Sequence, residues 1–223
     1  MALTKPASTQ GTDDTTPTAD VTEIDGRSLR RLRNREKVID SYLELVAAGN
    51  RSPSIDDLAK YSGISFRSIY RYFESPTELV AAAAERGYQM FSRDLVVRDE
   101  GMGSLQERVE RLVEQRIALY RRSAPFVAAA RSTHSDDESV NALFEKLRSA
   151  LGRQVSRHFD PELASLDHDQ RRAKVAGIYF AFLYDGMRML HDLYPNDDEQ
   201  IKAVLVDHVL RHLGPAPALD DTT

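Results

Sequence analysis

The sequence predicts an all-α protein on three observations. Apolar residues recur at helical spacing, Ser, Asp, Pro and Gly fall where helices start and stop, and no stretch alternates with the period of a strand. About nine helices follow, in an N-terminal group of three and a longer helical body, with no internal repeat.

In the first expected helix, over residues 28–48, Val38, Ile39, Tyr42, Leu43, Leu45 and Val46 form the apolar side, and Gly49, Asn50 and Pro53 end it. Ser54 caps a short second helix with Ile55, Leu58 and Ala59 turned inward, and Gly63 stands where the chain turns sharply and takes positive φ cheaply. Ser65 then caps a third helix. Ile69 and Phe73 lie four apart on its buried side, which leaves Phe66, Arg67, Ser68, Tyr70, Arg71 and Tyr72 to face outward or sideways. The small Ala59, four residues before Gly63, lets the two helices cross closely. That is the pattern of a helix-turn-helix, whose second helix lies in the major groove of duplex DNA. Ser75-Pro76-Thr77-Glu78 is a capping box with proline at the first helical position, opening a fourth helix to about residue 97.

The body continues in the same manner. Ser104-Leu105-Gln106-Glu107 opens a helix that is expected to stop at Ser123-Ala124-Pro125, with a shorter one from Pro125 to Ser132. Ser135-Asp136-Asp137-Glu138 opens the next, with Leu143, Phe144, Leu147, Leu151, Val155 and Phe159 on its apolar side and Asp160-Pro161 at its end. Asp167 or Asp169 begins the longest pattern, expected to run unbroken to Tyr194-Pro195. Asn196 caps the last helix, which Gly214 closes. These last two long helices are apolar on more than one side, so each needs a second partner, and dimerisation supplies one.

Net charge is −5, but it is unevenly placed. Residues 26–73 hold ten Lys or Arg against five acids, a local +5, while residues 1–25 hold one base and five acids, which leaves −6 for residues 74–223. The basic portion is the one with the helix-turn-helix, the asymmetry expected of a nucleic-acid face joined to another kind of body. With no cysteine there is no disulfide framework, thiolate metal site or cysteine nucleophile. The start, MALTKPASTQ, lacks an apolar signal core and the uncharged run near 175–184 is too short to span a bilayer, so a soluble cytoplasmic protein is expected. The expected organisation is a disordered arm over 1–25, a DNA-binding unit over 26–75, an effector-binding and dimerisation unit over 76–213, and a flexible tail over 214–223.

The order Ser54, Ala59, Gly63-Ile64-Ser65, Ile69-Tyr70, Phe73 and Leu79 resembles the tetracycline-repressor (TetR) family of bacterial transcription regulators. The match is close over about residues 30–80; beyond it only length and helical character agree. The resemblance implies a homodimeric regulator, most often a repressor, whose last two long helices pair as a four-helix bundle and whose two reading helices enter successive major grooves of a palindromic operator. It also implies a small-molecule effector held in the body. By residue type and position, Arg67 suits a guanine edge, Phe66 a thymine methyl and Ser68 either, while Tyr70, Arg71 and Tyr72 lean on phosphates. Ser65 belongs to the same face as the cap of the reading helix. The resemblance adds Ser54 and Thr77 as backbone contacts at helix N-termini. Pro76 stands where many members carry a lysine, so that contact does not carry over. Arg27 to Arg35, including Arg31 and Arg35, form either a DNA-contacting arm or a solvated basic helix end.

Arg116, Tyr120, Phe126, Phe144, Tyr179, Phe182 and Asp185 combine aromatic walls with sparse polar anchors, the mixture used to hold a largely apolar small molecule. Aromatic residues at helical spacing are equally the makings of an ordinary core. No cofactor is called for. His134 with Asp136, Asp137 and Glu138 resembles a hard-metal cluster, but helix capping accounts for the acids. His208 and His212 sit one turn apart without a third ligand, and Gly101-Met102-Gly103 is a linker rather than a dinucleotide loop. An effector-independent DNA-organising protein and a transcriptional activator are the alternatives. An enzyme is the remotest, since nothing pairs a nucleophile with a base.

Overall fold

In the computed structural model, which describes residues 26–133 and 137–214, the chain is all-helical. The expectations for the 1–25 arm, for most of the 214–223 tail, and for His134, Ser135 and Asp136 lie outside the described residues. Ten α-helices are present among them: α1 (Gly26–Ala47), α2 (Ile55–Ser62), α3 (Phe66–Tyr72), α4 (Pro76–Phe91), α5 (Leu105–Thr133), α6 (Glu138–His158), α7 (Asp160–Leu163), α8 (His168–Phe180), α9 (Tyr184–Leu193) and α10 (Asp198–Leu213). No helix is long and apolar enough to cross a membrane among the described residues.

The caps read from the sequence set the N-terminal unit. The Ser54 side chain accepts from the Asp57 N–H while Asp57 accepts from the Ser54 N–H, a complete capping box, and Gly63 adopts φ +69° with its N–H on the Ala59 carbonyl at 3.1 Å. Ser62, buried in the same turn, donates to the Leu58 carbonyl at 2.6 Å and accepts from the Ile64 N–H at 3.2 Å. Val38, Tyr42, Leu58, Ile69, Phe73 and Leu79 then pack as one apolar core, joined from the body by Ala129 of α5. A second core gathers Leu112, Val113, Val155, Ile178, Met187, Ile201 and Leu205 from α5, α6, α8, α9 and α10, with Phe159 from the turn after α6. Helix α5 belongs to both.

Three helix limits differ from expectation, each for a physical reason. Pro125 does not end α5, which runs through it for 29 residues. The proline removes one helical hydrogen bond, yet Arg121, Arg122 and Pro125 are exposed, so water can replace the lost donor, and packing in the two cores holds the helix on either side. The pattern expected to run unbroken to Tyr194 is two helices. Phe182 and Met187 are both buried but five positions apart, a phase no straight helix can present to one core. Leu183 therefore adopts an extended conformation with ψ 155°, and the phase is reset. Gly186 makes this break feasible, since a Cβ there would stand 2.8 Å from the Ala181 carbonyl oxygen. Finally, α4 ends at Phe91 rather than near residue 97 and gives way to a 3₁₀ turn over Ser92–Leu95. Smaller shifts are that Asp197, not Asn196, caps α10, and that Asp160-Pro161 opens the short α7, whose Leu163 is fully buried.

Candidate nucleic-acid interface and inner cavity

Helix α3 is short, capped and anchored by one side. Ser65 Oγ accepts from the Ser68 N–H at 3.3 Å and donates to Ser68 Oγ at 3.0 Å, so both hydroxyls help hold the first turn. Ile69 and Phe73, 1% and 2% exposed, fix the inner side. The outer side carries Phe66, Arg67, Tyr70 and Arg71, all exposed and spaced so that they share one face. The Phe66 and Tyr70 rings lie 4.8 Å apart between centroids, making one aromatic patch flanked by two guanidinium groups. Ser54 is exposed at the start of α2, and Thr77 is half-buried in the first turn of α4.

Tyr72 departs from the outward or sideways placement expected of it. Its ring is only 7% exposed, and its hydroxyl accepts a 3.1 Å hydrogen bond from Asn34 of α1, which holds its pKa below the ordinary tyrosine range. Its role in this structure is to tie α3 to α1. Nothing local in the sequence marks Asn34 as the partner. Arg31 bonds the Arg71 carbonyl at 3.4 Å, bringing one α1 arginine to the C-terminal end of α3. Arg35 instead pairs with Glu78 at 3.3 Å and lies 4.8 Å over the Phe73 ring, bracing α1 against α4. Glu78 also accepts from the Glu74 N–H at 2.7 Å, so one carboxylate secures both the turn and the brace.

The body encloses a cavity of about 420 Å³ between α5, α6 and the junction of α8 and α9. Arg116, Tyr120, Phe144, Phe182 and Asp185 line it together. Phe126 and Tyr179, expected on the same wall, are elsewhere. Phe126 faces a smaller apolar cavity of about 90 Å³ against Tyr42, Val80 and Ala83, and Tyr179 packs over Gly152 on the C-terminal core. Leu119, Ser123, Val127, Phe144 and Leu147 border both cavities, so only one layer of side chains separates them.

Arg116 is 3% exposed. It donates to Gln115 Oε1 at 2.6 Å and Gln154 Oε1 at 2.5 Å, and its Nε has no partner among the described residues. Burial lowers its pKa to about 10, which leaves it charged at neutral pH. Both glutamines are in turn held by the turn after α4: Gln154 Nε2 donates to the Leu95 carbonyl at 2.6 Å, and Gln115 donates to that of Asp94. Burial, then Tyr184 and Asp192, push the Tyr120 hydroxyl up to about 12, so it stays a donor. At the mouth, Arg131 pairs with Asp185 at 2.8 Å. Elsewhere in the body, His208 Nε2 bonds the Gly177 carbonyl and so joins α10 to α8, while His212 Nδ1 bonds the His208 carbonyl within α10, both at 2.9 Å.

No protein-family model and no curated protein matches the sequence. The structure is similar to a solved TetR-family transcriptional regulator from Streptomyces coelicolor, with a TM-score of 0.64 and 22% sequence identity over 79% of each chain. The exposed third helix, the capped turn before it and the long α5 through two cores thus belong to a chain with the fold of a TetR-family transcriptional regulator.

Proposed function

We propose that this protein is a sequence-specific DNA-binding transcriptional regulator, acting as a homodimeric repressor that a small molecule releases from a palindromic operator in the cytoplasm. The observation that carries the reading is the outer face of α3, where Phe66, Arg67, Tyr70 and Arg71 stand together on a helix whose other side is locked in a core. A rigid helix presenting arginines and aromatic edges suits the major groove. Arg67 would reach the two acceptors of a guanine and Phe66 a thymine methyl, with Ser68 available to either neighbour. Tyr70, Arg71 and Arg31 would meet phosphates, and Ser54 and Thr77 bring the N-terminal ends of α2 and α4 to the backbone. Tyr72 contributes by holding α3 on α1 rather than by contact with DNA.

Two heads on successive grooves require a two-fold partner. Phe180, Met189 and Leu193, 69%, 61% and 62% exposed, are apolar surface of the kind a second copy would cover on the last helices of the body. The effector would occupy the larger cavity. Helix α5 lines that cavity and also enters the N-terminal core at Ala129, while Gln115 and Gln154 tie the cavity's arginine to the turn at the end of α4. A ligand that prefers one arrangement of these helices would shift the spacing of the two heads by its differential affinity, with a coupling of about 1–3 kcal/mol.

The test is selection of bound duplexes from a random pool with the purified protein. A two-fold symmetric consensus is expected, with half-sites about one helical turn apart. Recovery of no enriched sequence would overturn the reading.

A further inference from the structure

We propose that the molecule held in the body cavity is an amphipathic anion, and that Arg116 is the cation that receives its acidic group. This rests on the reading of that cavity as the effector site and names the chemical class the site accepts. Two buried arginines on α5 provide the contrast. Arg108 is 4% exposed and is neutralised in place: it forms an ion pair with Glu162 and bonds the His158 carbonyl at 2.9 Å. Arg116, two turns further along and 3% exposed, has only neutral partners, the two glutamine carbonyls, with the Phe182 ring 6.0 Å from its guanidinium carbon.

Burying a guanidinium without a counter-ion is unfavourable, and an unused N–H adds to that. Arg108 is matched by an acid of the chain, whereas Arg116 lines the larger of the two cavities described above. A ligand carboxylate, sulfonate or phosphate there would supply the missing charge to the guanidinium. The remaining lining fits the same class. Of the three lining arginines, Arg131 pairs with Asp185 at the mouth and Arg148 with Glu145, so Arg116 is the one without an acid among the described residues. Tyr120 adds a hydroxyl that remains a donor. Leu119, Val127, Phe144, Leu147 and Leu151 form an apolar wall for the rest of the molecule.

The test compares two dyes, 8-anilinonaphthalene-1-sulfonate and N-phenyl-1-naphthylamine, which share one apolar ring system and differ by the sulfonate. Titrated by fluorescence into the full chain, the sulfonate is expected to bind once per protomer and about tenfold or more tighter than the neutral dye. Arg116→Met should erase that preference while leaving the neutral dye's affinity unchanged or stronger, and Arg116→Lys should keep part of it. Equal affinities for the two dyes in the unmodified protein, or a sulfonate preference that survives Arg116→Met, would overturn the anion assignment and leave the cavity reading standing. Failure of both dyes to bind the folded protein would overturn the cavity reading itself. Should Arg116→Met not fold, the comparison of dyes in the unmodified chain decides.

Discussion

The two ends of the molecule put arginine to opposite uses. In the N-terminal unit Arg67 and Arg71 stand in water on the outside of a small core, while in the body Arg108 and Arg116 lie inside, each less than a twentieth exposed. An outward cation needs no partner to fold and can await a polyanion at long range. An inward one must be matched by an acid of the chain, as Arg108 is by Glu162, or wait for a ligand, as we infer for Arg116. The N-terminal unit therefore separates folding from recognition, whereas in the body the same residues serve both.

Three substitutions sharpen that contrast, taken from the largest effect to the smallest. Phe159→Ala removes a fully buried ring from the C-terminal core and should cost about 3–5 kcal/mol in chemical denaturation. Because α5 runs through both cores, unfolding should remain a single transition, seen alike by circular dichroism and tyrosine fluorescence; two separate transitions would break the picture of one helix joining them. Arg67→Ala should leave the denaturation midpoint unchanged and weaken operator binding by about 1–3 kcal/mol, with relaxed preference at one position of each half-site. A loss that is equal on all sequences would place Arg67 on a phosphate instead. Ser54→Ala removes the hydroxyl of the capping box and should lower stability by about 1 kcal/mol, measured by urea titration. No change would mean that Asp57 alone secures the start of α2.

How much the residues disclose follows the same division. Caps, the glycine turn and the outer face of α3 act within a few residues of one another, so Ser54, Gly63, Ser65 and the pair Ile69 and Phe73 were legible from spacing alone. Tyr72 was not, because its partner Asn34 lies on another helix and reaches it only after folding. Pro125 reads locally as a stop, and what overrides it is tertiary packing at both ends of α5. The break between α8 and α9 did leave a trace, the five-residue step from Phe182 to Met187, which a continuous apolar pattern concealed. In the body, residue type singled out Arg116, Tyr120, Phe144, Phe182 and Asp185 as companions, and they do share one cavity. Phe126 and Tyr179 have the same chemistry but face other spaces, a distinction set by helix rotation rather than by composition. Nor does composition reveal which buried arginine lacks an acid.

The central claim is that the outer face of α3 reads duplex DNA in a two-fold complex. Fluorescence anisotropy of a labelled duplex taken from the selected consensus, titrated with the protein at several salt concentrations, tests it most directly. We expect two-fold multiples of the chain on each duplex, a preference of about a thousandfold or more over a scrambled duplex, and a steep fall of affinity with salt, about −0.9 in log K per log unit of salt for each phosphate neutralised. Equal affinity for the selected and scrambled duplexes, or affinity that does not respond to salt, would contradict it.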